Sequence, residues 1–102
     1  MQKRMRIEIP QARIETFCKR HGVKKLAFFG SVLRDDFDPE KSDVDVLIEF
    51  EPGKRIGYVG LGAMELELSE ILGVHVDLRT PSELSRYFRD EVMATAEVQY
   101  AA

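Results

Sequence analysis

The sequence predicts a single domain that contains both α-helices and β-strands. Its 102 residues are 44% hydrophobic and 32% charged, a composition that suits one compact domain with one hydrophobic core. Short apolar or alternating segments, typical of β-strands, are separated by segments whose apolar residues recur at helical spacing. No repeat, linker or low-complexity segment divides the chain. We therefore expect one domain over residues 1–102.

The charge and the cysteine count exclude several classes of protein. A formal net charge of −3 argues against a general nucleic-acid binder, because the long-range attraction to phosphates is missing. Cys18 is the only cysteine, so the chain can form neither an internal disulfide nor a cysteine-built zinc site. No segment has the apolar run of a signal peptide or a membrane span. We expect a soluble, cytoplasmic protein with neither a membrane nor a nucleic acid as its partner.

The first third of the chain predicts a helix, a strand and a turn. Residues 10–21 carry apolar side chains at helical spacing, with proline in the first turn and glycine just after the end, which predicts a helix. Residues 23–30, VKKLAFFG, become apolar and close on a glycine, as a buried strand entering a tight turn does. Ser31 can begin a short helical turn, and residues 36–42 predict a polar loop.

The remaining elements follow from the same two periodicities. Residues 43–50, DVDVLIEF, alternate and predict a second strand, with its valines and Ile48 on one face. Residues 58–72 predict a helix that ends before a glycine. Residues 74–80 alternate again and predict a third strand, and residues 81–95 predict a last helix. The tail after residue 95 either pairs with a sheet edge or stays loose.

Three acidic residues suggest a metal site. Asp43 and Asp45 are two residues apart on a strand, so they point to the same side. Two ionised carboxylates this close repel each other unless a cation lies between them, and oxygen ligands suit magnesium or manganese more than zinc. Asp77 supplies a third carboxylate from another alternating strand. The three acids converge if the two strands are neighbours.

A phosphate-binding turn precedes these acids. Metal ions held by few carboxylates complete their coordination with substrate phosphates, which makes phosphoryl or nucleotidyl transfer the predicted chemistry. Gly30 permits close backbone approach, and the N–H groups of the next turn, with the Ser31 hydroxyl, can hold phosphate oxygens. We expect this turn to hold the tail of a nucleoside triphosphate. Arg34, one turn further on, is a further candidate for contact with the triphosphate.

Together these residues resemble a known family. The pattern consists of Gly30-Ser31, an eleven-residue spacer, Asp43-x-Asp45 and a later strand acid, Asp77. It resembles the nucleotidyltransferase superfamily related to DNA polymerase beta, and the small size is similar to that of its minimal nucleotidyltransferase branch. The resemblance implies an α+β fold, in which helices pack against a small mixed β-sheet. It also implies transfer of a nucleoside monophosphate from a triphosphate to an acceptor, with release of pyrophosphate.

The resemblance assigns roles to the site residues. It implies two Mg²⁺ ions, or Mn²⁺, bound by Asp43 and Asp45, with Asp77 on the catalytic metal and as a candidate base for the acceptor. Gly30 and Ser31 would bind the triphosphate, for which the family suggests ATP. Minimal members often act as antitoxins of helical HEPN toxins, some by adenylylating a toxin tyrosine. A HEPN-type toxin is therefore the expected protein partner.

Two functional hypotheses stay open from the sequence. One is an active adenylyltransferase that modifies a partner protein, and the other is a non-catalytic module that neutralises its partner by occlusion. A chain this small lacks a further domain to bind the acceptor, so a partner or a second copy of the chain, as a homodimer, is expected to complete the site. His75 and Arg79 share the predicted face of Asp77, and we expect them to be ordinary solvated or hydrogen-bonded residues.

Overall fold

The computed structural model describes residues 9–34, 37–38 and 40–102. This part of the chain contains three α-helices and four strands, with a 3₁₀ turn after the first strand and another after the third. The elements are α1 (Gln11–His21), β1 (Val23–Phe29), a 3₁₀ turn (Gly30–Leu33), β2 (Val44–Phe50), α2 (Tyr58–Leu72), β3 (Val76–Arg79), a second 3₁₀ turn (Pro81–Glu83), α3 (Arg89–Thr95) and β4 (Glu97–Ala101).

The four strands form one mixed sheet in the order β3-β2-β1-β4. β1 runs antiparallel to β2 and to β4, whereas β2 and β3 are parallel. The parallel pair follows from the connection, because α2 returns the chain to the end at which β2 began. The predicted α+β fold is therefore confirmed. The tail, which the sequence left as either paired or loose, forms the edge strand β4 beside β1.

The main hydrophobic core lies between one face of the sheet and the two long helices. Strand residues of this face, among them Val46 and Ile48, are fully buried with Phe17 of α1 and Leu68 of α2. The opposite face carries Asp45, Asp77 and their neighbours, because register partners on paired strands point to the same side. The helices therefore cover one face and leave the acidic face to the later, irregular part of the chain.

The predicted bounds of the first two helices agree with the structure to within one residue.

Ionic contacts, as well as the core, join the first two helices. Arg20 and His21, at the end of α1, both contact the carboxylate of Glu67 in α2, and the distance from His21 Nε2 to Glu67 Oε1 is 3.0 Å. These contacts lie at the helical side of the sheet, away from the acids.

The predicted loop before β2 contains a core residue. Phe37 is buried and belongs to the main core cluster, although the surrounding sequence is polar. Asp36 and Pro39 of the predicted loop, together with Asp35, lie outside the described residues. The short helical turn predicted at Ser31 is present as the 3₁₀ turn Gly30–Leu33.

The prediction of one continuous helix over residues 81–95 is wrong. The chain forms the 3₁₀ turn Pro81–Glu83 and a separate helix, α3, with a non-helical segment between them. Thr80 and Glu83 form a capping box that stabilises the start of this turn. Leu84 is then extended and buried, and its carbonyl accepts a hydrogen bond from the Arg89 side chain at 2.9 Å.

The third strand is also shorter than the alternation predicted. It covers Val76–Arg79, while Val74 and His75 precede it. Within the described residues, no helix combines the length and apolar character needed to cross a membrane.

Candidate active site

The candidate site lies where β2 and β3 begin, on the face of the sheet opposite the main core. Asp45 and Asp77 are direct register partners on these two parallel strands, so their side chains are neighbours on the same face. Asp43 immediately precedes β2. The structure thus makes the two strands neighbours, which was the condition for the three acids to converge.

The electrostatics of Asp45 reflect this convergence. Burial raises the pKa of the Asp45 carboxyl, and the negative charges of Asp77 and Asp43 raise it further. The positive charges of Arg79 and Arg34 act in the opposite direction. Asp77 and Asp43 therefore repel the charged form of Asp45, as neighbouring carboxylates do.

The Gly-Ser turn packs directly against Asp45. Phe29, the last residue of β1, pairs with Asp45 across the sheet, and Gly30 follows with a φ of +73°. A Cβ atom placed on Gly30 would lie 2.5 Å from Oδ2 of Asp45. Because glycine has no Cβ atom, Gly30 leaves room for the Asp45 carboxylate. The sequence explained this glycine by approach to phosphate and missed its packing against the acid.

Ser31 connects the turn to the start of β2. Its Oγ atom donates a hydrogen bond to the backbone carbonyl of Asp43 at 3.4 Å. The hydroxyl makes no helix cap in this structure. The turn, Asp43 and Asp45 consequently form one compact unit, with Arg34 at the end of the turn close enough to affect the charge on Asp45.

Two basic side chains contact Asp43 and Asp77. The distance from His75 Nδ1 to Asp43 Oδ1 is 2.9 Å, and Arg79 donates a hydrogen bond to Oδ2 of Asp77 at 3.2 Å. The expectation that His75 and Arg79 are hydrogen-bonded residues agrees with these contacts. Their partners, however, are the candidate ligands themselves, which the shared alternation of residues 75, 77 and 79 could have indicated.

The acids fit a hard divalent cation by their chemistry. Carboxylate oxygens are the ligands that Mg²⁺ and Mn²⁺ prefer, and a cation would offset the repulsion that Asp77 and Asp43 exert on Asp45. In the described ranges no three His, Cys, Asp or Glu side chains already stand in a metal-binding arrangement. Of the three acids, Asp43 contacts His75 and Asp77 contacts Arg79.

A cavity of about 320 Å³ opens beside two of the acids. It combines polar groups at the sheet with apolar groups from the non-helical segment before α3. Its lining consists of Phe29, Asp45, Asp77, Arg79, Glu83, Leu84, Ser85 and Phe88. Because the sequence predicted residues 81–95 as one amphipathic helix, it missed Leu84, Ser85 and Phe88 as site residues.

A larger cavity, of about 410 Å³, lies between α1 and α2. Arg13, Arg20 and Glu67 are among its lining residues, and the three site acids are not. It belongs to the helical side of the sheet. We therefore place the candidate active site at the smaller cavity, where the carboxylates are.

The fold and the acidic site together define a class of protein. Residues 12–98 match the family model of the nucleotidyltransferase domain, and the chain belongs to this family. It is a nucleotidyltransferase, and the resemblance to the minimal branch is confirmed by its relatives.

These relatives are small proteins of the same kind. A provisionally named protein adenylyltransferase of Methanocaldococcus jannaschii is 36% identical over 77 residues, which cover 76% of this chain and 80% of the relative. A solved structure provisionally described as a minimal nucleotidyltransferase is 32% identical, with a TM-score of 0.68 over 84% of this chain and 85% of that one. The fold is also that of an MNT antitoxin solved with a tri-AMPylated HEPN toxin of Shewanella oneidensis, with 15% identity and a TM-score of 0.64 over 90% of this chain and 70% of that one.

Proposed function

We propose that this chain, as a single domain, is a metal-dependent protein adenylyltransferase that transfers AMP from ATP to a tyrosine of a HEPN-type toxin. By this modification it would act as the antitoxin. The observation that carries the proposal is the register pairing of Asp45 with Asp77 next to the Gly-Ser turn. This juxtaposition of the candidate ligands with the Gly-Ser turn supports the proposal.

The acids and the turn have separate roles in this proposal. Asp43 and Asp45 would hold two Mg²⁺ ions, or Mn²⁺, and Asp77 would hold one of them. Bound metal supplies Lewis-acid stabilisation of the charge on the phosphates and on the attacking oxygen. Gly30, with the backbone N–H groups that follow it, and the Ser31 hydroxyl would bind the triphosphate.

Positive charge supports the same arrangement. Arg34 follows the Gly-Ser turn and is close enough to Asp45 to influence its pKa. An arginine at this place can pair with phosphate oxygens of the nucleotide. His75 contacts Asp43 and Arg79 contacts Asp77, and the positive charge of Arg79 offsets part of the repulsion at Asp45.

The transfer step conserves atoms and charge. The hydroxyl oxygen of the acceptor forms a bond to the α-phosphorus of ATP, and the bond from this phosphorus to the oxygen that bridges to the β-phosphate breaks. Pyrophosphate leaves with the electron pair of the broken bond. The hydroxyl proton passes to Asp77, which lines the cavity together with Asp45, as general base.

The relatives support a protein acceptor and a HEPN-type partner. The M. jannaschii relative is named a protein adenylyltransferase, and the fold is shared with an antitoxin solved beside an AMPylated HEPN toxin. The alternative is an occluding module without activity. It is less consistent with the site, because a pure binder gains nothing from three carboxylates whose repulsion opposes folding.

A labelling experiment distinguishes the two functions. The purified protein is incubated with α-labelled ATP and magnesium, with and without the product of the adjacent gene. We expect label on the partner, and its loss in a double variant, Asp43→Asn with Asp45→Asn, which keeps shape and removes charge.

The matched control is Glu49→Gln, which changes an acid on β2 that contacts Lys25 and lies away from the site. This variant should label the partner as the unmodified protein does. A stable complex that stays unlabelled with every nucleotide would refute catalysis and support occlusion.

A further inference from the structure

The non-helical segment between Glu83 and α3 forms one wall of the cavity beside the acids. Leu84, Ser85 and Phe88 line this wall, and we call these three residues the 84–88 wall. Leu84 is 7% exposed, so it anchors the wall, whereas Phe88 is 49% exposed. Arg89 donates a hydrogen bond to the Leu84 carbonyl. The wall is thus held in place at Leu84, and the aromatic ring of Phe88 is partly exposed.

The cavity and the Gly-Ser turn make different contacts around Asp45. The turn contacts Asp45 through Gly30 and the start of β2 through Ser31. The cavity is bounded instead by Asp45, Asp77 and Arg79, and neither Gly30 nor Ser31 is among its described lining residues. Asp45 therefore lies between the turn and the cavity.

The chemistry of nucleotidyl transfer assigns the two regions. In an in-line displacement, the attacking oxygen and the leaving oxygen lie on opposite sides of the phosphorus atom. If pyrophosphate leaves toward the Gly-Ser turn, the acceptor must enter from the far side of Asp45. The cavity at Asp77 occupies that side. This step rests on the proposed function.

The lining of the cavity matches one kind of acceptor. Phe29, Leu84 and Phe88 offer an apolar surface, while Asp77 and Arg79 form the polar end at the sheet. The volume of about 320 Å³ is at the lower end of the roughly 300–1,000 Å³ of ligand pockets. It suits a single side chain with an aromatic body and a terminal hydroxyl.

We propose that this cavity receives the acceptor tyrosine of the partner protein, with the Phe88 ring against the phenol ring and Asp77 facing the phenol hydroxyl. Phe88 is then a specificity-determining residue that binds the acceptor and has no part in binding the triphosphate. Aromatic rings in such contacts prefer offset or edge-to-face packing. A serine or threonine acceptor would leave the apolar wall uncovered.

The test compares two adjacent aromatic residues. Phe88→Ala removes the ring from the wall, and Tyr87→Ala removes a ring that is 87% exposed and does not line the cavity. A third variant, Phe88→Tyr, keeps an aromatic ring at the wall. Transfer of AMP is measured at varied concentrations of the full-length partner, and binding of Mg²⁺ with a non-hydrolysable ATP analogue is measured by calorimetry without the partner.

We expect Phe88→Ala to raise KM for the partner about tenfold, as the loss of one buried aromatic contact does, with kcat and analogue binding unchanged. Tyr87→Ala and Phe88→Tyr should keep the KM of the unmodified protein. A change in kcat alone, or an unchanged KM in Phe88→Ala, overturns the proposal.

Other outcomes separate this inference from the proposed function. If Phe88→Ala weakens analogue binding as much as it raises KM, the cavity holds the nucleobase and the proposal is wrong. If the unmodified protein transfers AMP and Phe88→Ala matches it, only the inference fails. If the unmodified protein transfers no AMP to the partner, the proposed function and the inference fail together.

Discussion

Replacing Gly30 with alanine tests how closely the Gly-Ser turn packs against Asp45. The new Cβ atom would lie 2.5 Å from Oδ2 of Asp45, whereas non-bonded contacts of carbon have their optimum near 3.5 Å or more. The carboxylate must therefore move by about 1 Å. The backbone adds a second cost, because a φ of +73° is unfavourable by roughly 1–2 kcal/mol for a residue with a side chain.

Gly53→Ala provides a matched control for the backbone cost. Gly53 has a φ of +86°, and no atom lies within 4 Å of a Cβ atom placed there. This variant should lose about 1 kcal/mol of unfolding free energy from strain alone. Gly30→Ala should lose about 2 kcal/mol, since a displaced carboxylate adds an off-rotamer cost of roughly 0.5–1.5 kcal/mol. The difference between the variants isolates the contact with Asp45.

The assay measures stability and transfer on the same samples. Urea unfolding gives the free energies, and labelling of the partner gives the rate under conditions in which all variants are folded. We expect Gly53→Ala to keep its rate and Gly30→Ala to lose up to about 100-fold, because a misplacement of 1 Å at a reacting centre can cost that much. Equal stability and equal rates in the two variants would refute the packing of Gly30 against Asp45.

Three further predictions follow from burial and charge. Because the folded pKa of Asp45 is raised from its ordinary value of 3.8, its ionisation destabilises the metal-free fold as the pH rises through the folded pKa. With a chelator present, Asp45→Asn should therefore have a higher Tm than the unmodified protein at pH 7, and the difference in Tm should disappear below pH 3.8. A lower Tm of the variant at pH 7 would contradict repulsion at Asp45. Burial raises the pKa of the Cys18 thiol to about 12. A thiol reagent at pH 8 should therefore react with Cys18 only at the rate of global unfolding. Fast labelling of the native protein would show instead that α1 opens separately. Glu67→Gln weakens the contacts with Arg20 and His21 and should lower the free energy of urea unfolding by about 0.5–1 kcal/mol. The control, Glu15→Gln, affects only an exposed pair with Lys19 and should lower it less. The reverse order would contradict the role of Glu67 between the helices.

Local sequence patterns determined the elements with regular periodicity. The bounds of α1 and α2 and the presence of β1 and β2 agree with the sequence, because the 3.6-residue and 2-residue periods are properties of the backbone itself. The same local geometry placed Asp43 and Asp45 together at the head of β2. Gly30 and Ser31 were recognised as a turn because glycine directly follows an apolar strand.

The pairing of strands was decided by tertiary structure. Only the sheet order makes Asp77 the neighbour of Asp45 and adds β4 beside β1, because strand order depends on contacts between residues distant in sequence. His75 and Arg79 likewise gained their partners only through folding.

The cavity wall also could not be predicted from the sequence. Residues 81–95 have helical periodicity, but Leu84 is extended and buried and interrupts the helix. Tertiary burial overrides helix propensity here, since propensity is weak compared with the burial of a leucine side chain. The sequence by itself therefore predicted the candidate acids and the Gly-Ser turn, while the tertiary structure placed Asp77 and Phe88 at one cavity, because burial and strand pairing act between distant residues.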